Sequence, residues 1–205
     1  MKLQVQKILL AAVAGASLLA GCAPLVVGGA AVGALVAVDR RTSGTQLEDE
    51  SIELKVANAV RQEMSDRVHL NVTSYNRRVL LTGEVASDAD RSRITQLAQS
   101  QENVKNVIND LAIGDASSLS QRTKDTVISG QIKASFVDAK DLQSSAVKVV
   151  TERGIVYLMG RVTAREAQRA SDIARGVSGV VKVVRVFEEI SEEELKRLSQ
   201  PPASK

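Results

Sequence analysis

The chain opens on a stretch without a single charge, from Ile8 to Val38. It then breaks into short segments whose apolar residues recur every two or every three to four positions. Ile52, Val56, Ala59 and Val60 fall at helical spacing, which predicts a first helix with one buried face. Val68, Leu70 and Val72 alternate with polar residues, as in a half-buried strand. Asn76-Arg77 predicts a turn, after which Val79, Leu81, Gly83 and Val85 resume the alternation. Ser87 is placed to cap a second helix, with Asp90 three residues on, and Ile94, Leu97 and Ala98 mark its buried stripe. Val104, Val107, Leu111 and Ile113 fall in a closing strand, and the pattern leaves the phase of the last pair open.

The same pattern then returns. Leu80-Leu81-Thr82-Gly83-Glu84-Val85 recurs as Tyr157-Leu158-Met159-Gly160-Arg161-Val162, and the same displacement carries Val72 onto Val149, Val79 onto Val156 and Val104 onto Val181. Upstream the displacement shortens by one residue, so that Ile52 meets Ile128, Val56 meets Ile132 and Val60 meets Phe136. A match of this length predicts a duplicated unit. The copies are expected over residues 51–113 and 121–190. Each reads helix–strand–strand–helix–strand, an α+β unit in which two helices cover one face of a three-stranded mixed sheet. In the second copy Arg153-Gly154 is the expected turn, Thr163 and Glu166 form a candidate capping box, and Gly179 is a candidate helix end. Gly83 and Gly160 interrupt strands, where glycine usually marks a close approach to the backbone, and a helix packed over each is expected. Gly114 to Ser120 predicts a linker, and Asp39 to Glu50, charged and weakly patterned, predicts a tether. The tail, residues 191–205, holds a short helix opened by Ser191 and reaching about Leu198.

The charge-free stretch carries its own signal. Lys2 and Lys7 precede a short apolar core, Ile8 to Leu18, that leads into Leu19-Ala20-Gly21-Cys22. A basic start, an apolar core and small residues before a break describe a secretory signal. Leu-Ala-Gly-Cys looks like a bacterial lipobox, which predicts a signal peptide over residues 1–21, lipidation of Cys22 with palmitate among its chains, and a lipidated tether over residues 22–50. Ala23 resembles the outer-membrane sorting pattern. One acyl chain anchors only marginally and stable anchoring needs two or more, which a triacylated Cys22 supplies. The stretch is also long enough to span a bilayer. Pro24 and Gly28-Gly29 interrupt it, and a span leaves Cys22 unexplained.

Composition removes whole classes of function. Aromatic residues make up 2% of the 205 positions and Trp is absent, so the cores must be aliphatic and small. Cys22 is the only cysteine, which excludes an internal disulfide and zinc sites built on paired cysteines. His69, the only histidine, sits between Val68 and Leu70 and reads as a strand residue. No Ser-His-Asp triad, Cys-His pair or histidine cluster can be assembled. The expectation is a protein that is not an enzyme, with no cofactor, no metal site and no small-molecule substrate. Residues 114–190 hold 12 basic and 9 acidic residues, against 8 and 8 in residues 51–113. This leans the second copy toward an anionic partner. For a periplasm-facing protein that partner is a lipid surface rather than nucleic acid.

Asp39-Arg40-Arg41-Thr42-Ser43-Gly44-Thr45-Gln46, Asn71-Val72-Thr73-Ser74-Tyr75 and Tyr157 to Ala167, in this order behind a lipobox, resemble the dual BON-domain outer-membrane lipoproteins of the DolP/YraP type. The similarity covers nearly the whole chain. It implies two tandem BON domains and a non-enzymatic protein that maintains envelope integrity, binds anionic phospholipid membrane through its second domain and gathers at division sites. It also implies contact with the outer-membrane protein assembly machinery. An adaptor for that machinery, without lipid recognition, is the competing function.

In that family the lipid-binding element is the first helix of the second domain, here about Thr123 to Val137. On a helical wheel Ile128, Ile132 and Phe136 share the inward face. The opposite face carries Val127, Gly130, Ala134 and Val137, flanked by Lys124 and Lys133. Family members have a bulky aromatic at the position of Val127. The matching face of the first copy offers Leu54, Asn58 and Arg61, which is more polar. The stripe is expected to enter a membrane surface, with packing against the other domain as the alternative. A second apolar set, Ile155, Tyr157 and Met159, lies on the alternate face of its strand and is expected to pack between the two domains.

Overall fold

The computed structural model of the chain describes residues 39–64 and 68–198. The expected signal peptide, Cys22 and the charge-free stretch lie outside the described residues. The first repeat runs α1 (Ser43–Met64), β1 (His69–Tyr75), β2 (Arg78–Val85), α2 (Asp88–Gln99), β3 (Asn106–Asn109) and a short β4 (Ala112–Ile113). The second runs α3 (Leu119–Asp138), β5 (Val147–Glu152), β6 (Ile155–Val162), α4 (Ala164–Arg175) and β7 (Lys182–Glu189), followed by α5 (Glu192–Leu198). In each sheet the central strand pairs antiparallel with its hairpin partner and parallel with the strand that follows the second helix. The result is the expected α+β pair of units with mixed sheets.

The periodic residues land where their spacing predicts. Ile52, Val56 and Val60 of α1 join Val79, Leu81 and Val85 of β2 and Ile94 and Ala98 of α2 in one core. Ile128, Ile132 and Phe136 of α3 join Val156, Leu158 and Val162 of β6 and Ala167, Ala170 and Ala174 of α4 in the other. Ser87 accepts from the Asp90 amide at 3.1 Å, and both halves of the Thr163–Glu166 capping box are present. The closing strand of the first repeat breaks at Asp110-Leu111. Asn109 Oδ1 accepts from the Leu111 amide at 3.0 Å, and Leu111 turns into the core. This settles the phase that alternation left open.

A third apolar cluster lies between the two sheets. Tyr75 and Leu80 of the first repeat meet Tyr157, Met159 and Val186 of the second, with Ile108, Val150, Ile155 and Val184 around them. The expected interdomain cover of Ile155, Tyr157 and Met159 is therefore present. With helices on one face and the other repeat on the opposite face, β2 and β6 are buried along most of their length. Strands covered on both sides read as near-continuous apolar runs. Charged contacts rim this interface: Arg78 Nη1 donates to the Phe187 carbonyl at 2.9 Å, and Lys148 Nζ meets Glu53 Oε1 at 3.0 Å.

Three local expectations change. Residues 39–50 are not a tether: α1 begins at Ser43 and Asp49 is buried on it. Its carboxylate accepts from Ser74 Oγ and the Arg77 amide at 2.7 Å, from the Asn76 amide at 2.8 Å and from Arg41 Nη1 at 2.7 Å. The Arg41 guanidinium lies over the Tyr75 ring, 4.2 Å from its centroid. The segment folds because Arg40 and Asp49 have partners distant in sequence, a signal that apolar periodicity does not carry. Second, Gly83 is crowded by the neighbouring strand rather than by a helix. A Cβ at Gly83, whose φ is +117°, would stand 2.0 Å from the His69 carbonyl oxygen, and one at Gly160 would stand 2.2 Å from that of Ala146. Third, α4 ends at Arg175 with Gly176 as its cap, and Gly179, at φ +90°, serves the turn before β7.

The hairpin turns share one device. Asn76-Arg77 has two left-handed residues, as does Arg153-Gly154. Such turns leave amides facing inward, and a buried aspartate on the preceding helix takes them. Asp49 does so in the first repeat, and Asp125 accepts from the Arg153 and Gly154 amides at 2.9 and 2.8 Å in the second.

Candidate functional site

Helix α3 starts earlier than its apolar stripe suggests, because Ser118 caps it: the Ser118 Oγ accepts from the Gln121 amide at 3.2 Å. Its inward face is fixed by Ile128, Ile132 and Phe136. The other face follows by geometry, and all six residues singled out on it, Lys124, Val127, Gly130, Lys133, Ala134 and Val137, are exposed. Val127 is 53% and Val137 71% exposed, so the first repeat does not cover this stripe. A Cβ at Gly130 would meet nothing within 4 Å, so this glycine serves no packing contact either.

The structure adds residues that the sequence pattern missed. Leu119, in the extra N-terminal turn of α3, lies on the same stripe and is 81% exposed. Across from α3, the loop before β7 brings up Val181, 78% exposed. Val127, Gln131, Arg153, Gly179 and Val181, together with Lys124, line an open groove of about 490 Å³. Arg153 comes from the β5–β6 turn that Asp125 holds, so a cationic side chain and two valines converge from three elements. Val181 occupies the position of the first repeat's Val104, which packs against the first core, and only its exposure separates it from a core residue. The site is thus an apolar stripe and groove edged by Lys124, Lys133 and Arg153, on the repeat with the excess of basic residues.

On α1, Leu47 and Leu54 stand two turns apart and are both exposed. The outer face of the first repeat is therefore less polar than Leu54, Asn58 and Arg61 alone suggested. Leu47 was hidden in the segment read as a tether. Among the described residues, no helix is long and apolar enough to cross a membrane.

Comparison with known proteins establishes the family of the chain. The BON domain model matches twice, over residues 48–115 and 124–189. The chain is 43% identical over 182 residues to the outer membrane lipoprotein DolP of Haemophilus influenzae, covering 87% of this chain and 94% of that protein. It is 32% identical over 152 residues to the 21 kDa hemolysin of Actinobacillus pleuropneumoniae, covering 73% and 78%. It is 31% identical over 144 residues to the osmotically-inducible protein Y of Escherichia coli, covering 68% and 72%. With two BON domains in tandem and this similarity along most of its length, the chain belongs to the family of dual BON-domain proteins that includes the outer membrane lipoprotein DolP.

Proposed function

We propose that this protein is anchored in the outer membrane through lipidated Cys22, faces the periplasm, and maintains envelope integrity by binding anionic phospholipid through the outer face of α3, with division sites as its place of action. The observation that carries the reading is the exposed stripe of Leu119, Val127 and Val137 with Val181 across the groove, edged by Lys124, Lys133 and Arg153. Isolated exposed apolar residues are ordinary, but several on one helix face, with cations at its borders, suit insertion among headgroups. Burying one valine contributes at most about 1.5–3 kcal/mol. Each lysine near an anionic surface contributes about 1 kcal/mol. Flotation of residues 23–205 with vesicles tests this. The fragment should float with anionic vesicles and not with zwitterionic ones, and Val127→Glu should abolish flotation while leaving the circular dichroism unchanged. Binding to neither vesicle overturns the lipid reading in favour of a protein adaptor. Anchoring is tested separately: Cys22→Ala should accumulate as an uncleaved precursor, and normal processing of that variant overturns the lipobox assignment.

A further inference from the structure

Where β1, β2 and β5 meet, on the other side of Arg153 from the α3 groove, the fold brings together three groups that lie apart in sequence. His69 opens β1, Glu84 sits near the end of β2, and Glu152 closes β5. One ring nitrogen of His69 and one carboxylate oxygen from each glutamate lie within 4.8 Å of one another. Two of the three come from the first repeat and one from the second, so the cluster straddles the domain interface.

The carboxylate of Glu84 is the unusual member. Its side chain is 1% exposed. Oε2 is satisfied, taking His69 Nδ1 at 2.7 Å and the Ser117 amide at 3.1 Å. Oε1 is buried and has no hydrogen-bond partner. The nearest cation, Arg153 Nη1, stands 3.8 Å away, beyond hydrogen-bond reach, on a half-exposed side chain. A buried carboxylate oxygen left without a partner costs folding free energy, and native structures normally fill such a place. Glu152, the third member, has its Oε2 held by Asn71 Nδ2 at 2.6 Å. A polar cavity of about 300 Å³, lined by His69, Asn71, Arg122, Asp125, Ser129 and Glu152, opens beside the cluster. It offers a route for an ion and room for a water.

We propose that His69, Glu84 and Glu152 form a binding site for a divalent transition cation of the zinc class, clamped between the two repeats. One imidazole nitrogen and two carboxylate oxygens match the mixed nitrogen and oxygen ligand sets that zinc accepts, with water from the cavity in the fourth position. Two carboxylates neutralise the ion's charge in a buried setting. Calcium and magnesium require six or more oxygens and do not suit three ligands including a nitrogen. The site is invisible to spacing rules because its ligands come from different strands and different repeats, and it needs only the one histidine the chain has. Occupation would tie the two domains together through their sheet edges.

The test uses the full chain, purified in detergent and freed of metal with a chelator. Zinc titration by calorimetry should show one ion per chain, with a rise in Tm that grows with zinc concentration, as expected for a ligand that binds the folded state. Cobalt in place of zinc should give the visible absorption of a low-coordinate ion. His69→Gln and Glu152→Gln should each weaken zinc binding by about tenfold or more, the range seen even for groups one shell removed from a metal. Glu63→Gln, on the exposed side of α1, should bind like the parent. Circular dichroism checks the fold of each variant, and the cobalt spectrum of the unaltered chain stands independently of them. No zinc-dependent shift in Tm, zinc affinity unaffected by both ligand variants, or calcium binding more tightly than zinc would each overturn the proposal. So would a cluster that responds only to pH.

Discussion

Arg40 and Glu166 form a buried bidentate ion pair that ties the segment before the first repeat to a helix of the second. Arg40 Nη2 meets Glu166 Oε1 at 2.7 Å and Arg40 Nη1 meets Oε2 at 2.8 Å, and the same Nη1 donates to the Arg161 carbonyl at 2.8 Å. Glu166 is also the N3 residue of the α4 capping box. The segment before the first repeat is thus fixed to the second repeat before it enters the first. Arg40→Ala should cost about 3–5 kcal/mol, because it strands a buried carboxylate. Adding Glu166→Gln should recover part of that loss. Chemical denaturation of the two single variants and the double variant measures the coupling, and strict additivity would show that the pair is not a unit.

Acid should unfold this protein through two carboxylates. Burial would raise Asp49, but amides of Arg77 and Asn76, the Ser74 hydroxyl and Arg41 outweigh it and hold the carboxyl below its ordinary range. Glu166 is likewise held low, where burial is outweighed by Arg40 and the Thr163 amide. A carboxyl lowered in the folded state contributes stability that is fully present above its unfolded pKa, about 4. That stability is lost as pH falls from there through the lowered folded value. Stability from these two groups should therefore be flat above about pH 5 and fall steeply below about pH 4. Asp49→Asn should lower stability at neutral pH and shallow the acid limb, which thermal melts across the range would show.

Gly130 and Gly83 should respond in opposite directions to the same change. Gly130 is exposed inside α3 with open space around it, so Gly130→Ala should stabilise by about 1 kcal/mol. Gly83→Ala would drive a methyl into the His69 carbonyl at a left-handed φ and should prevent β1 from pairing with β2. Urea titration separates the two, and a stable Gly83→Ala variant would mean that β1 is free to shift.

Charge and aromatic content should tune the α3 face independently. Lys133→Glu should weaken flotation with anionic vesicles in a salt-dependent way, since screening shortens the reach of that charge. Val127→Trp should strengthen it, because tryptophan favours the membrane interface. Leu54→Glu, on the exposed face of α1, should bind like the parent. Loss of flotation in Leu54→Glu with normal flotation in Val127→Glu would move the site to the Leu47–Leu54 stripe.

Wherever side chains meet close neighbours in sequence, the sequence was readable. Ser87 capping at Asp90, Thr163 with Glu166, and the stripes Ile52-Val56-Val60 and Ile128-Ile132-Phe136 all act within a turn or two. Misreadings arose where a partner is distant. Residues 39–50 looked like a tether because Asp49 and Arg40 satisfy themselves on the first hairpin and on α4. Gly83 looked like a helix contact because nothing local reveals which strand carbonyl will press on it. The α3 stripe was legible from its spacing, whereas Val181 and Arg153 reach it only through the fold of the sheet. His69 read as an ordinary strand residue because neither glutamate beside it is near in sequence.

The buried aspartate and the crowded glycine also record history. Asp49 and Gly83 have counterparts in Asp125 and Gly160 that make the same contacts, so both devices belong to the repeated unit itself. At the positions of His69, Glu84 and Glu152 the other copy has Ala146, Arg161 and Tyr75. The salt link from Arg40 to Glu166 and the cluster between the sheets likewise require two copies to exist. Partnership between the domains therefore rests on residues in which the copies differ, laid over a fold that they share. A single-copy relative is expected to keep the aspartate and the glycine and to carry polar residues where this chain has Tyr157 and Met159.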